Sequence, residues 1–453
     1  MSTSALHRLD ATAIAEAVGA RAVSAVEVTR HHLDRIARLD PRLKAFTHLD
    51  APGALAAAAA LDARLAQGEP PQPLAGVPAA VKANVAAAGL PWHGGFGAFA
   101  RRTARTDAPC VARLRAAGAI VLGVLNLHEG ALGATTANPH FGATQNPHRP
   151  GFTPGGSSGG SGAAVAAGLC ALALGTDTLG SIRIPAAYCG IFGHKPTHGL
   201  VPADGLMPLV ERWDVIGPMA RSVRDLTRAL RVLARPDPAP PIGRVAVPDS
   251  WETVDTHPAV AAALHLASDL LRGLGRSVER VAFPVDHHRV RLAGFVTAAA
   301  EADRHYGGQA DRDPQGFSAA FRQSLAFARG FAPEARAEGE RRLAEAAAAL
   351  RAALLSAEAL LLPTTPQPAF PHDGPVPVSQ ADFAAPASIA GLPAVALPAG
   401  WTRDGLPVGV QLVGRPGADL ALLDLAEELA QALQAHRWPI IEEDACASSH
   451  SST

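Results

Sequence analysis

Lysine is nearly missing from this chain of 453 residues: of its 40 basic residues only Lys44, Lys82 and Lys195 are lysine. Wherever a plain positive charge suffices, the chain uses arginine. Charge of either sign is scarce as well, at 18% of residues with a formal net charge of -1, so the basic excess of a nucleic-acid binder is absent and no nucleic-acid partner is expected. The four cysteines, Cys110, Cys170, Cys189 and Cys446, show no CxxC pairing. That spacing argues against a disulfide framework and for reduced thiols in a cytoplasmic setting. Long hydrophobic runs are lacking too: the longest unbroken stretch of glycine and apolar residues, 162–175, has 14 members, short of the roughly 20 a membrane span needs. Residues 1–20 carry Asp10 and Glu16 where a secretory signal has a basic start and an apolar stretch, so no membrane association and no leader are expected.

What is there is 48% hydrophobic, in a chain long enough to bury a large core. Ser24-Ala25-Val26-Glu27 is a capping box that opens a helix, and Pro41 is expected to stop it. Residues 74–85 read as a buried strand with a loop. A helix over 108–117, closed by Gly118, precedes the strand 119–124, which is apolar on both faces, and helix followed by fully buried strand is the α/β rhythm. Ser222 caps another helix, 244–247 is a short strand, and helical periodicity dominates 255–357, including an Ala-rich helix from Pro333 to about Leu355. Residues 360–362, 394–397 and 408–413 read as further buried strands and 419–433 as a closing helix. The Pro-rich piece 235–241 fits a seam or a surface loop. The expected architecture is α/β, one large domain with a mixed β-sheet core covered on both faces by helices. Residues 1–70 form a helical segment packed on a main domain of 71–440, and 441–453 form a flexible tail.

Two of the three lysines stand in Gly/Pro-rich loops, at Lys82 and Lys195. A desolvated lysine can lose its proton near neutrality whereas arginine cannot, so each is either a base or a structural donor to carbonyls. Gly155-Gly156-Ser157-Ser158-Gly159-Gly160-Ser161-Gly162 precedes a small-residue helix. A phosphate loop is the first thought, but no Gly-Lys-Ser/Thr follows. A flexible linker is excluded by the apolar, strand-like flanks. The pairs His31-His32 and His287-His288 lack metal-ligand spacing, and His128-Glu129 is not followed by the second histidine of a zinc motif, so no metal is expected.

Joined to Lys82 and the Gly/Ser run, the segment Gly175-Thr176-Asp177-Thr178-Leu179-Gly180-Ser181-Ile182-Arg183-Ile184-Pro185-Ala186 resembles the amidase signature family. Cys189-Gly190-Ile191-Phe192-Gly193-His194-Lys195-Pro196-Thr197, Gly391-Leu392-Pro393 and Gly405-Leu406-Pro407-Val408-Gly409 extend the likeness over nearly the whole chain. The resemblance implies a Ser-cisSer-Lys hydrolase of carboxamides that needs no cofactor. In it Ser181 is the nucleophile, Ser157 the bridging serine on a cis peptide bond and Lys82 the base. The backbone N–H groups around Thr178, Leu179, Gly180 and Ser181 would form the oxyanion hole. Asp177 and Arg183 would brace the loop, Ser158 and Ser161 are capping or loop-stabilising hydroxyls, and Lys195 is structural.

The chain departs from the family pattern at Leu179, where glycine is usual, and at Ala83, where aspartate is usual after the lysine. A left-handed backbone at Leu179 would cost ~1–2 kcal/mol, and its side chain narrows the acyl site. Ala83 makes the surroundings of Lys82 more apolar. Ile184, three residues beyond Ser181, cannot pair a buried carboxylate, whose unpaired burial costs several kcal/mol. The expected substrate is therefore a small amide with a neutral, apolar acyl group, unless a cation such as Arg341 or Arg342 reaches the pocket. Two other readings stand beside it. One is the glutamine-hydrolysing A subunit of a tRNA-dependent amidotransferase, against which Ile184 speaks because such subunits usually carry Gln there. The other is a catalytically silent binding protein on the same fold. A homodimer is left open.

Overall fold

In the computed structural model, which describes residues 3–439 and 441, eleven strands form one mixed sheet. Their order across it is Phe46–Leu49, Ile120–Leu125, Pro78–Lys82, Leu172–Asp177, Val215–Ala220, Phe192–Lys195, Ala394–Trp401, Pro407–Gly414, Ala359–Pro363, Arg244–Pro248 and Ser277–Val281. Pro78–Lys82 runs parallel to both of its neighbours, as does Arg244–Pro248, while the strands between are antiparallel. Strands such as Pro78–Lys82, Leu172–Asp177 and Pro407–Gly414 are buried at every position. A strand with no exposed residue must be covered on both faces, which is the α/β architecture expected from the unbroken apolar runs.

The expected elements appear with small shifts. Pro109–Ala116 is helical, with its proline in the first turn where the missing N–H costs nothing. Ser222 caps Val223–Leu233 through the N–H of Asp225, and the closing helix is Asp419–Leu433. The capping box at Ser24 is complete, but the helix it opens, Ala25–Leu43, runs through Pro41 and ends at Lys44, whose φ of 53° turns the chain. Proline so near the end sacrifices only one hydrogen bond. The first 70 residues are not all helical: Phe46–Leu49 pairs with Ile120–Leu125 as one edge of the sheet. At the other edge, Ser277–Val281 lies inside the region expected to be helical. Half-exposed and charged, it carries no apolar alternation to read. Of the residues assigned to a tail only Ile441 is described, so that expectation and Cys446 lie outside the described residues. Cys110, Cys170 and Cys189 are free and buried. Among the described residues no helix is long and apolar enough to cross a membrane.

Candidate active site

The parallel pairing of Pro78–Lys82 with Leu172–Asp177 sets the C-terminal ends of two buried strands side by side. Such ends, where the chain leaves the sheet, are where α/β folds place their sites. Lys82 closes the first strand and is fully buried. Its Nζ lies 2.7 Å from Ser157 Oγ, 2.9 Å from Ser158 Oγ and 2.7 Å from Thr176 Oγ1. Among the described residues no carboxylate is hydrogen-bonded or ion-paired to it. Burial lowers its pKa from the ordinary lysine value to about 7, against an upward pull from Asp177 and Asp214. Three hydroxyls suit both of its states: the ammonium donates three bonds, while the neutral amine donates two and accepts one. Ala83 is buried beside it, so the departure from aspartate leaves this lysine without an adjacent anion.

The Gly/Ser run wraps around that nitrogen. Gly155 takes a φ of 82°, and a Cβ there would lie 2.9 Å from Pro185 Cα, which excludes any side chain. The Gly156–Ser157 peptide bond is cis. The Ser157 carbonyl accepts from His128 N at 3.0 Å, and the N–H of Ser158 donates to the Ser181 carbonyl at 3.2 Å, tying the loop to the second one.

That second loop leaves strand Leu172–Asp177 and enters helix Arg183–Cys189. Asp177 organises it: its carboxylate accepts from the N–H of Gly180 at 2.7 Å, the N–H of Ile182 at 3.2 Å and Ser388 Oγ at 2.9 Å. Arg183, also fully buried, donates to both oxygens of Asp177 and to Gln411 and Ser388. Burial works to raise the Asp177 pKa, and Arg183, together with Lys195 and the N–H of Ile182, more than offsets it, holding the carboxyl at about 2. Gly180 takes a φ of 125°, and a Cβ on it would meet that of Ala384 at 2.6 Å. Leu179 is not among the non-glycine residues with positive φ, so replacing glycine there costs no backbone strain. Arg183→Met is expected to destabilise the protein by ~3–5 kcal/mol, because it strands a buried carboxylate. Urea unfolding checks this, and a loss under about 1 kcal/mol would contradict the bracing role.

Ser181 opens onto a cleft of about 510 Å³ that Thr178, Leu179 and Ile184 also line. Among the described residues its hydroxyl has no hydrogen-bond partner; of the three side chains joined in the expected relay, the structure bonds Lys82 to Ser157 and holds Ser181 beside them through its carbonyl. The expectation for Gly180 is corrected: its N–H already donates to Asp177 and is not free for an oxyanion. The N–H groups of Thr178, Leu179 and Ser181 have no partner among the described residues. Thr178 is fixed through its side chain, whose Oγ1 donates to buried Asp214 at 2.5 Å. Burial raises the Asp214 pKa to about 6.

The cleft walls are mostly apolar. Ala131, Leu132, Leu209, Phe295, Phe327 and Val376 join Leu179 and Ile184 there. Neither Arg341 nor Arg342 reaches it; both pair with Glu338 elsewhere. Arg291 and His288 are the charged or titratable groups on its walls, and Arg291 is paired with Asp382. Lys195 lies outside the cleft, fully buried, its Nζ donating to the Pro196 carbonyl at 2.9 Å. Ser161 Oγ donates to the Leu174 carbonyl, as a loop-stabilising hydroxyl would. Sequence reasoning missed Thr176, Asp214 and Arg291; Ser158, read as a capping or loop-stabilising hydroxyl, makes no cap bond but donates to the Thr176 carbonyl, accepts from the Thr176 N–H and touches the lysine. Strand register reveals Thr176, but a single sequence does not show which strands are neighbours. Among the described residues no group of three or more His, Cys, Asp or Glu side chains is placed to hold a metal.

The family model described as Amidase matches residues 27–423. The A subunit of a glutamyl-tRNA(Gln) amidotransferase from Chloroflexus aurantiacus is 36% identical over 95% of this chain and 98% of its own length. Its counterpart from Roseiflexus castenholzii is 41% identical over 66% of this chain, an alignment that spans 64% of that relative. Among solved structures, one described as a vestigial protein complex revealing the origins of an s-triazine catabolic enzyme is 34% identical with a TM-score of 0.88, covering 95% of this chain and 100% of that one. A bacterial aryl acylamidase superposes with a TM-score of 0.87 at 25% identity, covering 95% and 97% of the two chains. The glutamyl-tRNA(Gln) amidotransferase A subunit of Thermotoga maritima gives 0.79 at 28% identity, covering 96% and 98%.

Proposed function

The chain belongs to the amidase family, and from that membership we propose that it hydrolyses a carboxamide through an acyl-enzyme on Ser181, giving a carboxylic acid and ammonia or an amine. The observation that carries the reading is Lys82, buried without a counter-ion among the described residues, hydrogen-bonded to Ser157 and able to be neutral near pH 7. In the proposed cycle Ser181 Oγ attacks the amide carbon as its proton passes to Ser157 Oγ, and the Ser157 proton passes to Lys82 Nζ. The carbonyl oxygen becomes an oxyanion, for which the free N–H groups of Thr178, Leu179 and Ser181 are the available donors. As the C–N bond breaks, Lys82 returns the proton through Ser157 to the departing nitrogen. Water then repeats the sequence on the ester and restores Ser181.

The acyl group is read as neutral and apolar. Leu179 and Ile184 flank Ser181, and Arg291, the one Lys or Arg on the walls among the described residues, is balanced by Asp382. The names of the sequence relatives favour a second reading, the glutamine-hydrolysing A subunit of an amidotransferase, and sequence similarity alone supports that one better. A cleft without an uncompensated charge for the glutamine head group speaks against it. The intact set of Lys82, Ser157 and Ser181 speaks against a silent binding protein. Butyramide or benzamide should give a kcat/KM at least about tenfold above glutamine, the scale of one unpaired buried polar group. Assays of ammonia release by the isolated chain decide between the readings, and a preference for glutamine would establish the second.

A further inference from the structure

The cleft also holds one donor and one acceptor that have no partner among the described residues. Arg291, on helix His287–Ala302, donates through Nε to Asp382 Oδ1 at 2.7 Å, and its Nη2 lies 3.0 Å from His288 Nδ1. Nη1 has no partner among the described residues, and the side chain, 12% exposed, lines the cleft. Gln380, two residues before Asp382, lines the same cleft. Its Nε2 donates to the Pro377 carbonyl at 3.1 Å, which fixes the amide's orientation, and its Oε1 is buried with no partner. Buried polar atoms are nearly always satisfied, and this one, closed to solvent in the cleft, is left to a ligand N–H that presses into the wall beside it.

We propose that Arg291 and Gln380 form a subsite for a second, uncharged carboxamide or urea group at the far end of the substrate, whose carbonyl accepts from Arg291 Nη1 and whose N–H donates to Gln380 Oε1. This rests on the amide-hydrolase reading and narrows it: the substrate has an apolar middle and a polar, neutral far end. A carboxylate there would also accept from Arg291, but the partner anion Asp382, 3% exposed, opposes a second negative charge, and the carboxylate offers Gln380 no proton. A plain alkyl end leaves both groups unpaired.

The test uses the full chain and the series of linear aliphatic diamides from four to eight carbons, each against the alkyl monoamide and the monoamide monoacid of equal length. At the best length the diamide should exceed the alkyl amide in kcat/KM by about tenfold or more, the scale of a hydrogen bond to a charged group and well above the factor of two from having two reactive ends. Arg291→Met should reduce that ratio to about two. Asp382→Asn, which keeps Arg291 but removes its balancing charge, should raise the monoacid relative to the diamide by about tenfold, and it carries the test if the methionine variant does not fold. A diamide advantage of no more than two at every length, or the wild-type ratio retained in Arg291→Met, would overturn the subsite. In either case alkyl amides still turn over. If no amide turns over and Ser181 takes no acyl label, the amide-hydrolase reading fails and the subsite falls with it.

Discussion

Ser181→Ala is expected to lower kcat for any accepted amide by roughly 10⁴–10⁶-fold, the scale of removing a nucleophile that works as part of a unit. The substitution removes one oxygen from a side chain that faces the cleft and has no hydrogen bond to lose among the described residues, so the fold should survive it. The melting temperature should stay near that of the wild type while turnover collapses. Ser157→Ala should also be severely impaired, but through loss of the relay. A Ser181→Ala variant with more than about a hundredth of wild-type kcat would mean that the attack comes from elsewhere.

Lys82→Met is expected to cost ~10²–10⁴-fold in kcat/KM, the range of general-base catalysis. Methionine keeps the volume of a fully buried side chain and removes the nitrogen bonded to Ser157, Ser158 and Thr176. The pH profile supplies the sharper reading. The base is the neutral amine, so wild-type activity should fall about tenfold per pH unit below the lysine's pKa and level off above it. Burial places that midpoint near 7. The variant's residual activity should show no such limb. If the variant kept a limb near pH 7, another group would have to be the base.

These two predictions rest on residues that were legible in the sequence, and the reason is local. Ser157 and Ser181 stand in Gly-rich turns whose backbone needs, such as the φ of 82° at Gly155 and 125° at Gly180, leave a mark on composition. Lys82 stands out because the chain has so few lysines. The strands were legible where they are buried on both faces. Ser277–Val281 was not, because an exposed edge strand with charged residues reads like a helix surface. Thr176 and Asp214 were hidden for a different reason: their roles depend on which strands are neighbours and on a 36-residue separation between Thr178 and Asp214. Gly180 shows the limit of motif reading, since its N–H was expected to serve an oxyanion and is held by Asp177. The absence of Arg341 and Arg342 from the cleft, and the presence of Arg291, follow from how the helices pack.

The proposed covalent acyl-enzyme on Ser181 should form only when Lys82 can take its proton. Mass spectrometry of the peptide carrying residue 181, after reaction with a fluorophosphonate or an amide substrate quenched in acid, tests it directly. A stoichiometric adduct is expected on Ser181 in the wild type, none in Ser181→Ala, and one formed ~10²–10⁴-fold more slowly in Lys82→Met. An adduct on Ser157 with Ser181 unlabelled, or labelling of Ser181 at the wild-type rate without Lys82, would contradict it.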